Sequence, residues 1–186
     1  MPTTYRLLGI SGSIRAGAFS KAILAVMADM TASNAQFDHA DIGALPHFNQ
    51  DLYVEPLPSP VQYFRDQIVA ADGLVVSSPE YNHGMPGVLK NAFDWASRPH
   101  NASPLRYKPA LIITSSPAFT GGVRAQYQIR ETLFAAFARP VITPEIVVGG
   151  VGAKIIDGRF TDAATLEFTK SGLGRMFEDI DMLAQR

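Results

Sequence analysis

Hydroxyl and guanidinium side chains cluster near the start of the chain, in residues 9–20. This stretch holds Ser11, Ser13, Arg15 and Ser20 between an apolar run and a helix-forming one. Its three glycines let the backbone turn and approach a ligand, and the serines and arginine donate hydrogen bonds. Because a helix N-terminus also favours anions, the stretch predicts a strand, an anion-binding turn and a helix capped by Ser20.

The residues of this turn do not match two common phosphate loops. A P-loop has Lys and then Ser or Thr after its second glycine, whereas Gly17 is followed by Ala18 and Phe19. The dinucleotide fingerprint G-x-G-x-x-G is also absent, because Ser11 stands at the third place counted from Gly9. The turn therefore favours a terminal phosphate monoester over a pyrophosphate. A capped turn without a ligand is the alternative that the residues leave open.

Two further polar loops follow runs typical of buried strands. Residues 79–87 come after the apolar run 73–78. Residues 116–122 likewise come after the apolar run that begins at Pro109. Strands of this type alternating with helices predict an open, mostly parallel α/β sheet covered on both faces. Ligands of such sheets bind beyond the carboxyl ends of the strands. We therefore expect the three loops to converge on one rim.

Periodicity also predicts the remaining elements. Residues 37–42 are a short strand candidate, residues 60–71 a helix with Val69 among its apolar positions, and residues 140–148 the last strand or pair of strands. The helix at 88–98 is predicted to pack through Val88, Leu89, Ala92, Phe93, Trp95 and Ala96. The helix after Gly122 is predicted to be amphipathic, and its apolar residues are Tyr127, Ile129, Leu133, Phe134 and Phe137.

A ligand able to use all three loops needs a phosphate and a flat, partly polar group, and flavin mononucleotide (FMN) has both. Tyr81 is expected to lie against the ring system. The Asn82 amide and the neighbouring backbone are expected to pair with the polar edge of the ring. For these two residues, a turn without a ligand is again the alternative.

Composition narrows the class of protein. The 186 residues fit a single domain, 1–186, and 16 Lys and Arg against 17 Asp and Glu give a net charge of −1. This charge offers no electrostatic case for nucleic acid or an anionic membrane. The absence of cysteine excludes disulfides, thiol catalysis and Cys-ligated zinc, and the four histidines lack metal-ligand spacing, so no metal is expected. We find neither a membrane-spanning run nor a signal sequence, and expect a cytoplasmic protein.

Three segments resemble the NADPH-dependent FMN reductases, a group that includes quinone, chromate and azo-dye reductases. They are residues 12–15, 79–82 and 87–95, of which the run from Pro79 to Trp95 is the most specific, and the family's Arg-Ala-Gln pattern recurs at 124–126. The resemblance covers nearly the full chain. It implies a flavodoxin-like, doubly wound, five-stranded parallel sheet with helices on both faces.

The resemblance also implies noncovalent FMN and a set of contacting residues. Candidate phosphate ligands are Ser11, Ser13, Arg15 and Ser20; candidates around the ring are Pro79, Glu80, Tyr81, Asn82, His83 and Gly84, with Ser116, Gly121 and Gly122 nearby. Because the cofactor carries the chemistry, no catalytic side chain is required, and Asn82 is the nearest candidate. Two positions depart from the family: Ala18 stands where Ser is common and Ser20 where Asn is common, so at least one hydroxyl donor to the phosphate is missing.

The implied activity is hydride transfer from NADPH or NADH to FMN, followed by two-electron reduction of a small acceptor such as a quinone or free flavin. A non-enzymatic electron carrier of the flavodoxin type is the alternative. Such carriers are typically acidic, which steers them towards basic partners, whereas this chain is nearly neutral. The resemblance further implies a homodimer or homotetramer. Its interface candidates are the helix carrying Phe93 and Trp95 and the helix starting near Arg124.

Overall fold

A parallel sheet with five strand positions forms the centre of the computed structural model, which describes residues 4–185. Its strands are β1 (Tyr5–Ser11), β2 (Ala35–Ala40), β3 (Gly73–Pro79), β4 (Pro109–Ser116), β5 (Arg139–Pro140) and β6 (Ile146–Gly149). Both β5 and β6 pair with β4, so they are two parts of one strand position. The order β2-β1-β3-β4-β5/β6, parallel throughout, confirms the predicted flavodoxin-like fold.

Helices cover both faces of this sheet. They are α1 (Phe19–Thr31), α2 (Ser59–Ala70), α3 (Gly87–Ala96), α4 (Val123–Ala135) and α5 (Ala163–Ala184). One core layer packs α1 and α5 against the sheet through Leu24, Met27 and Met176. The other layer contains α2, α3 and α4, with Phe64 and Ile129 among its buried side chains. None of the helices within residues 4–185 has the length and apolar character needed to cross a membrane.

The packing side of α3 is as predicted. Its buried residues are Leu89, Ala92, Phe93, Trp95 and Ala96, and Val88 packs against them while partly exposed. The Trp95 indole Nε1–H donates to the Pro46 carbonyl oxygen at 2.8 Å, so the helix also fixes the proline-rich loop before α2.

The predicted apolar side of α4 is wrong for its aromatic residues. Ile129 and Leu133 are buried, but the exposed fractions of Tyr127, Phe134 and Phe137 are 66%, 71% and 42%. Each residue turns the side-chain direction by about 100° around the helix. Tyr127, two positions before Ile129, and Phe134, one position after Leu133, therefore point away from the buried side. Phe137 lies beyond the end of α4. The helix therefore presents an apolar outer side.

Smaller differences occur where the sequence signal is short. The strand expected at 37–42 lies at Ala35–Ala40, and Val69 is exposed rather than packed. A two-stranded hairpin, β7 (Ile155–Ile156) and β8 (Arg159–Phe160), precedes α5 and was not predicted. Strands of two residues are too short to show an alternating pattern.

Candidate functional site

The loop between β1 and α1 is held together by its own serines. The Ser11 hydroxyl donates to the Ser13 carbonyl oxygen at 2.9 Å and lies 2.8 Å from Ser20 Oγ. Because Ser11 has one hydroxyl proton, Ser20 is the donor in the second bond. A Cβ on Gly12 would lie 2.3 Å from Ser78 Oγ, so only glycine lets the loop pass this close to β3. Ser11 thus shapes the loop from inside.

The helix cap predicted at Ser20 is wrong. Helix α1 begins at Phe19 with Ala18 as its N-cap, and Ser20 lies in the first turn with 1% of its surface exposed. Alanine has no polar side-chain atom and cannot bond the amides of the first turn. The Lys21 N–H donates to the Ala18 carbonyl oxygen at 3.1 Å, and the N–H groups of Phe19 and Ser20 are therefore the ones available to an anion, together with the partial positive charge of the helix end.

The loop after β3 ends in a tight turn. Tyr81 and Gly84 exchange two backbone hydrogen bonds of 2.9 and 3.0 Å. The two residues between them, Asn82 and His83, have φ angles of 49° and 67°, as a type I′ turn requires. Asparagine adopts this conformation more readily than most residues. The side chains at the tip of the turn are exposed.

The structure brings the loops after β1, β3 and β4 to one cleft at the carboxyl edge of the sheet. The Tyr81 hydroxyl lies 3.3 Å from Ser13 Oγ and joins the first two loops directly. The cleft encloses about 190 Å³ and is lined by Ser13, Arg15, Ala18, Phe19, Ser20, Pro79, Glu80, Tyr81, Ser115 and Pro117. Other predicted site residues lie outside this cleft: Ser11, Asn82, His83, Gly84, Ser116, Gly121 and Gly122.

Ser115 lines the cleft, although the prediction named its neighbour Ser116. Its side chain is 1% exposed, and its Oγ atom has no hydrogen-bond partner within the described part of the chain. Ser116 Oγ instead accepts the Ala118 N–H at 3.1 Å and shapes the following turn. Successive strand residues point to opposite faces, so Ser115 shares the α1 side of the sheet with Ile113. Because β4 is buried on both faces, its sequence shows no alternation, and no local pattern distinguishes Ser115 from Ser116.

Arg15 supplies the positive charge at the mouth of the cleft. Its guanidinium carbon lies 5.6 Å from the centroid of the Phe19 ring, and it forms no ion pair with any residue in 4–185. The charge is therefore available to a ligand.

The charge of Glu80, which also lines the cleft, is already used within the protein. Its carboxylate Oε2 accepts the N–H groups of Arg124 and Ala125 at 2.9 and 3.1 Å.

The backbone conformation before α4 requires glycine at two positions. Gly121 has a φ of 64° and Gly122 a φ of 85°. A Cβ on Gly121 would lie 2.9 Å from the Gly149 nitrogen, which leaves no room for a side chain. These glycines are needed for the turn whether or not a ligand binds beside them.

The donor set of the cleft fits a phosphate monoester attached to a flat group. Three buried hydroxyls, one of them without a partner among the described residues, face a free guanidinium and an uncapped helix start. Tyr81, 52% exposed, offers an aromatic surface beside them. The fold and the cleft together define a flavodoxin-like α/β protein with a cradle for a phosphate-bearing ligand.

Comparison with known proteins agrees with this class. The family model described as NADPH-dependent FMN reductase matches residues 5–152, and the chain belongs to that family. It is 39% identical over 174 residues to an NAD(P)H-dependent FMN reductase of Pseudomonas aeruginosa, covering 93% of this chain and 94% of that protein. It is also 34% identical over 172 residues to a quinone reductase of Escherichia coli, covering 90% of each.

A solved structure shows the same architecture over almost the whole chain. FerB from Paracoccus denitrificans, a flavoenzyme NAD(P)H:(acceptor) oxidoreductase, superposes with a TM-score of 0.81 at 29% identity, covering 97% of this chain and 98% of FerB. The expected reductase with FMN as cofactor and NAD(P)H as reductant is thus confirmed, and the electron-carrier alternative is not.

Proposed function

We propose that this reductase transfers two electrons from NAD(P)H, through FMN held in the cleft, to a small quinone or a free flavin. The observation that carries the proposal is the convergence of Arg15 with three buried serine hydroxyls beside Tyr81 at the carboxyl edge of the sheet. The family membership and the quinone reductases among the relatives support the acceptor class.

In this proposal the phosphate of FMN is held by the first loop and the end of β4. Ser13 and Ser115 would donate hydroxyl hydrogen bonds, and Arg15 would add a charged one. Ser20, whose hydroxyl proton is directed at Ser11, would contribute its backbone N–H in the first turn of α1. The hydroxyl of Ser115, buried and without a partner among residues 4–185, gains a partner when the phosphate binds. The loop 79–84 would border the ring, with Tyr81 against it and the Asn82 amide near its polar edge.

When bound, FMN accepts a hydride from NAD(P)H and passes two electrons to the acceptor. The protein contributes position rather than acid or base catalysis. Asn82 and His83 are exposed at the tip of their turn, and Tyr81 is half exposed, so one side of the site is open to solvent. Such an opening lets the nicotinamide and the acceptor occupy the same place in turn, each oriented by the surrounding loops.

The exposed apolar side of α4 supports the homodimer or homotetramer in this proposal. Val123, Tyr127 and Phe134 lie on it, and Phe119, in the preceding loop, is 94% exposed. Phe93 and Trp95 are core residues, so α3 would contribute its outer side instead. The test is sedimentation velocity: the double variant Tyr127→Glu/Phe134→Glu should sediment as a monomer, and an unchanged oligomer would place the interface elsewhere.

A cytoplasmic location belongs to the same proposal, because the reductant NAD(P)H is made and consumed there.

The proposed activity is tested by anaerobic turnover with 1,4-benzoquinone. With FMN added, each NADPH or NADH consumed should yield one hydroquinone, and without FMN turnover should stop. Protein-free FMN and an Arg15→Ala variant at limiting FMN serve as controls. A rate no greater than that of protein-free FMN would contradict the proposal.

A further inference from the structure

Helix α4 starts at a residue that cannot cap it. Its N-cap is Gly122, which has a φ of 85°, and a Cβ there would lie 3.2 Å from the Thr114 Cβ and 3.4 Å from the Glu80 Cβ. Helices are usually capped by Ser, Thr, Asp or Asn at this position, whose side-chain oxygen accepts the amides two or three residues on. The close approach of Gly122 to β4 excludes this arrangement.

Glu80 supplies the missing cap from a different loop. Its Oε2 accepts the N–H groups of Arg124 and Ala125, the second and third residues of the helix, at 2.9 and 3.1 Å. Its Oε1 lies 3.7 Å from Nη1 of Arg124, and the side chain is only 9% exposed. A carboxylate in this place is stabilised by the positive end of the helix dipole and by charge-assisted hydrogen bonds.

A second contact joins the same loop to α4. Gln128 Oε1 accepts the Met85 N–H at 2.9 Å, and a Cβ on Gly84 would lie 2.6 Å from that oxygen. The loop that contains the Tyr81 turn is therefore attached to α4 at its start, through Glu80, and at its end, through Met85.

We propose that Glu80 is a positioning residue. It lies in the loop after β3 and caps α4, the helix that follows the loop after β4. It fixes the loop 79–84 relative to the loop 117–122, and flavin affinity depends on this link because both loops are on the rim of the cleft. This inference rests on the proposed function. It also gives a role to the glutamate before Tyr81 and to the Arg124 side chain, which lies in ion-pair distance of that glutamate.

The experiment compares Glu80→Ala and Glu80→Gln with a matched control. Asp162 caps α5 in the ordinary way, its carboxylate accepting the Thr165 N–H at 3.3 Å, and lies outside the cleft. Asp162→Ala therefore removes a helix cap elsewhere. Amide hydrogen exchange of residues 124 and 125 in the flavin-free proteins reads the cap, and titration with FMN and with riboflavin reads the link to the ligand.

Glu80→Ala should lose exchange protection at Arg124 and Ala125 and bind both flavins about tenfold more weakly, since riboflavin uses the ring loops as well. Glu80→Gln keeps an acceptor oxygen and should retain most of the exchange protection and most of the flavin affinity. Asp162→Ala should lower the melting temperature while leaving both affinities within about twofold. Unchanged exchange in Glu80→Ala would overturn the cap, and lost protection with unchanged affinity would overturn the link. Failure of the wild-type protein to bind flavin would instead contradict the proposed function, while the exchange data would still decide the cap.

Discussion

The Tyr81 hydroxyl lies 3.3 Å from Ser13 Oγ, although 68 residues separate the two in sequence. Tyr81 follows β3 and Ser13 follows β1, and the sheet order reverses between these neighbouring strands. Ligands of doubly wound sheets bind at that crossing point. The bond thus joins the loop with phosphate-binding character to the loop with the aromatic surface.

Arg15→Ala should weaken FMN binding by roughly ten- to a hundredfold. A hydrogen bond to a charged group contributes about 1.5–3 kcal/mol, and about 1.4 kcal/mol corresponds to a tenfold change in Kd. Riboflavin, which lacks the phosphate, should bind as before. Fluorescence titration with both flavins measures this, with Arg175→Ala, an exposed arginine of α5, as the control. Equal losses for the two flavins would show that Arg15 acts on the structure of the loop.

Ser115→Ala should weaken FMN by about tenfold or more without destabilising the flavin-free protein. The hydroxyl is buried and, among the described residues, unpartnered, so its removal leaves no new unsatisfied group. Ser77→Ala is a matched control, because Ser77 Oγ is equally buried and unpartnered there but does not line the cleft. Urea unfolding and FMN titration of both variants test the assignment. A similar FMN affinity in the two variants would remove Ser115 from the site.

Asn82 can be tested without disturbing its turn. Its φ of 49° makes Asn82→Ala a strained change, whereas Asn82→Gly keeps the backbone conformation and removes only the side chain. Asn82→Gly should fold and bind FMN, and its flavin should be reduced by NADPH several-fold more slowly. Reduction at the wild-type rate would mean that the asparagine serves the turn alone.

Asp162 should make stability depend on pH. The Thr165 hydroxyl, followed by Lys154 and the Thr165 amide, lowers the pKa of this carboxyl against a smaller opposing effect of burial. A lowered folded-state pKa stabilises the folded protein above the unfolded value of about 3.9, and this contribution is lost as the pH falls through the folded value. The wild type should therefore exceed Asp162→Asn in stability by about 0.3–1 kcal/mol at about pH 7, and by less at about pH 3. Urea unfolding at both pH values measures the difference, and a larger difference at low pH would contradict it.

The sequence predicted the sheet, the large helices and the three converging loops because long apolar runs and their periods are local properties. It placed Ser116 rather than Ser115 in the site, since β4 is buried on both faces and its residues show no alternation to reveal which serine faces α1. It made Ser20 the cap of α1 because serine is a preferred cap, whereas the chain starts the helix from Ala18. The role of Glu80 depends on a contact between residues 44 apart, which no local pattern contains.

The central claim is that this chain holds FMN and reduces it with NAD(P)H before a small acceptor is reduced. Anaerobic stopped-flow mixing of the FMN-loaded protein with NADPH, and separately with NADH, measures this step directly. The blue absorbance of the flavin should disappear within seconds with at least one of the two, and return when one equivalent of 1,4-benzoquinone is added. Flavin that stays oxidised with both nucleotides, although it is bound, would contradict the account.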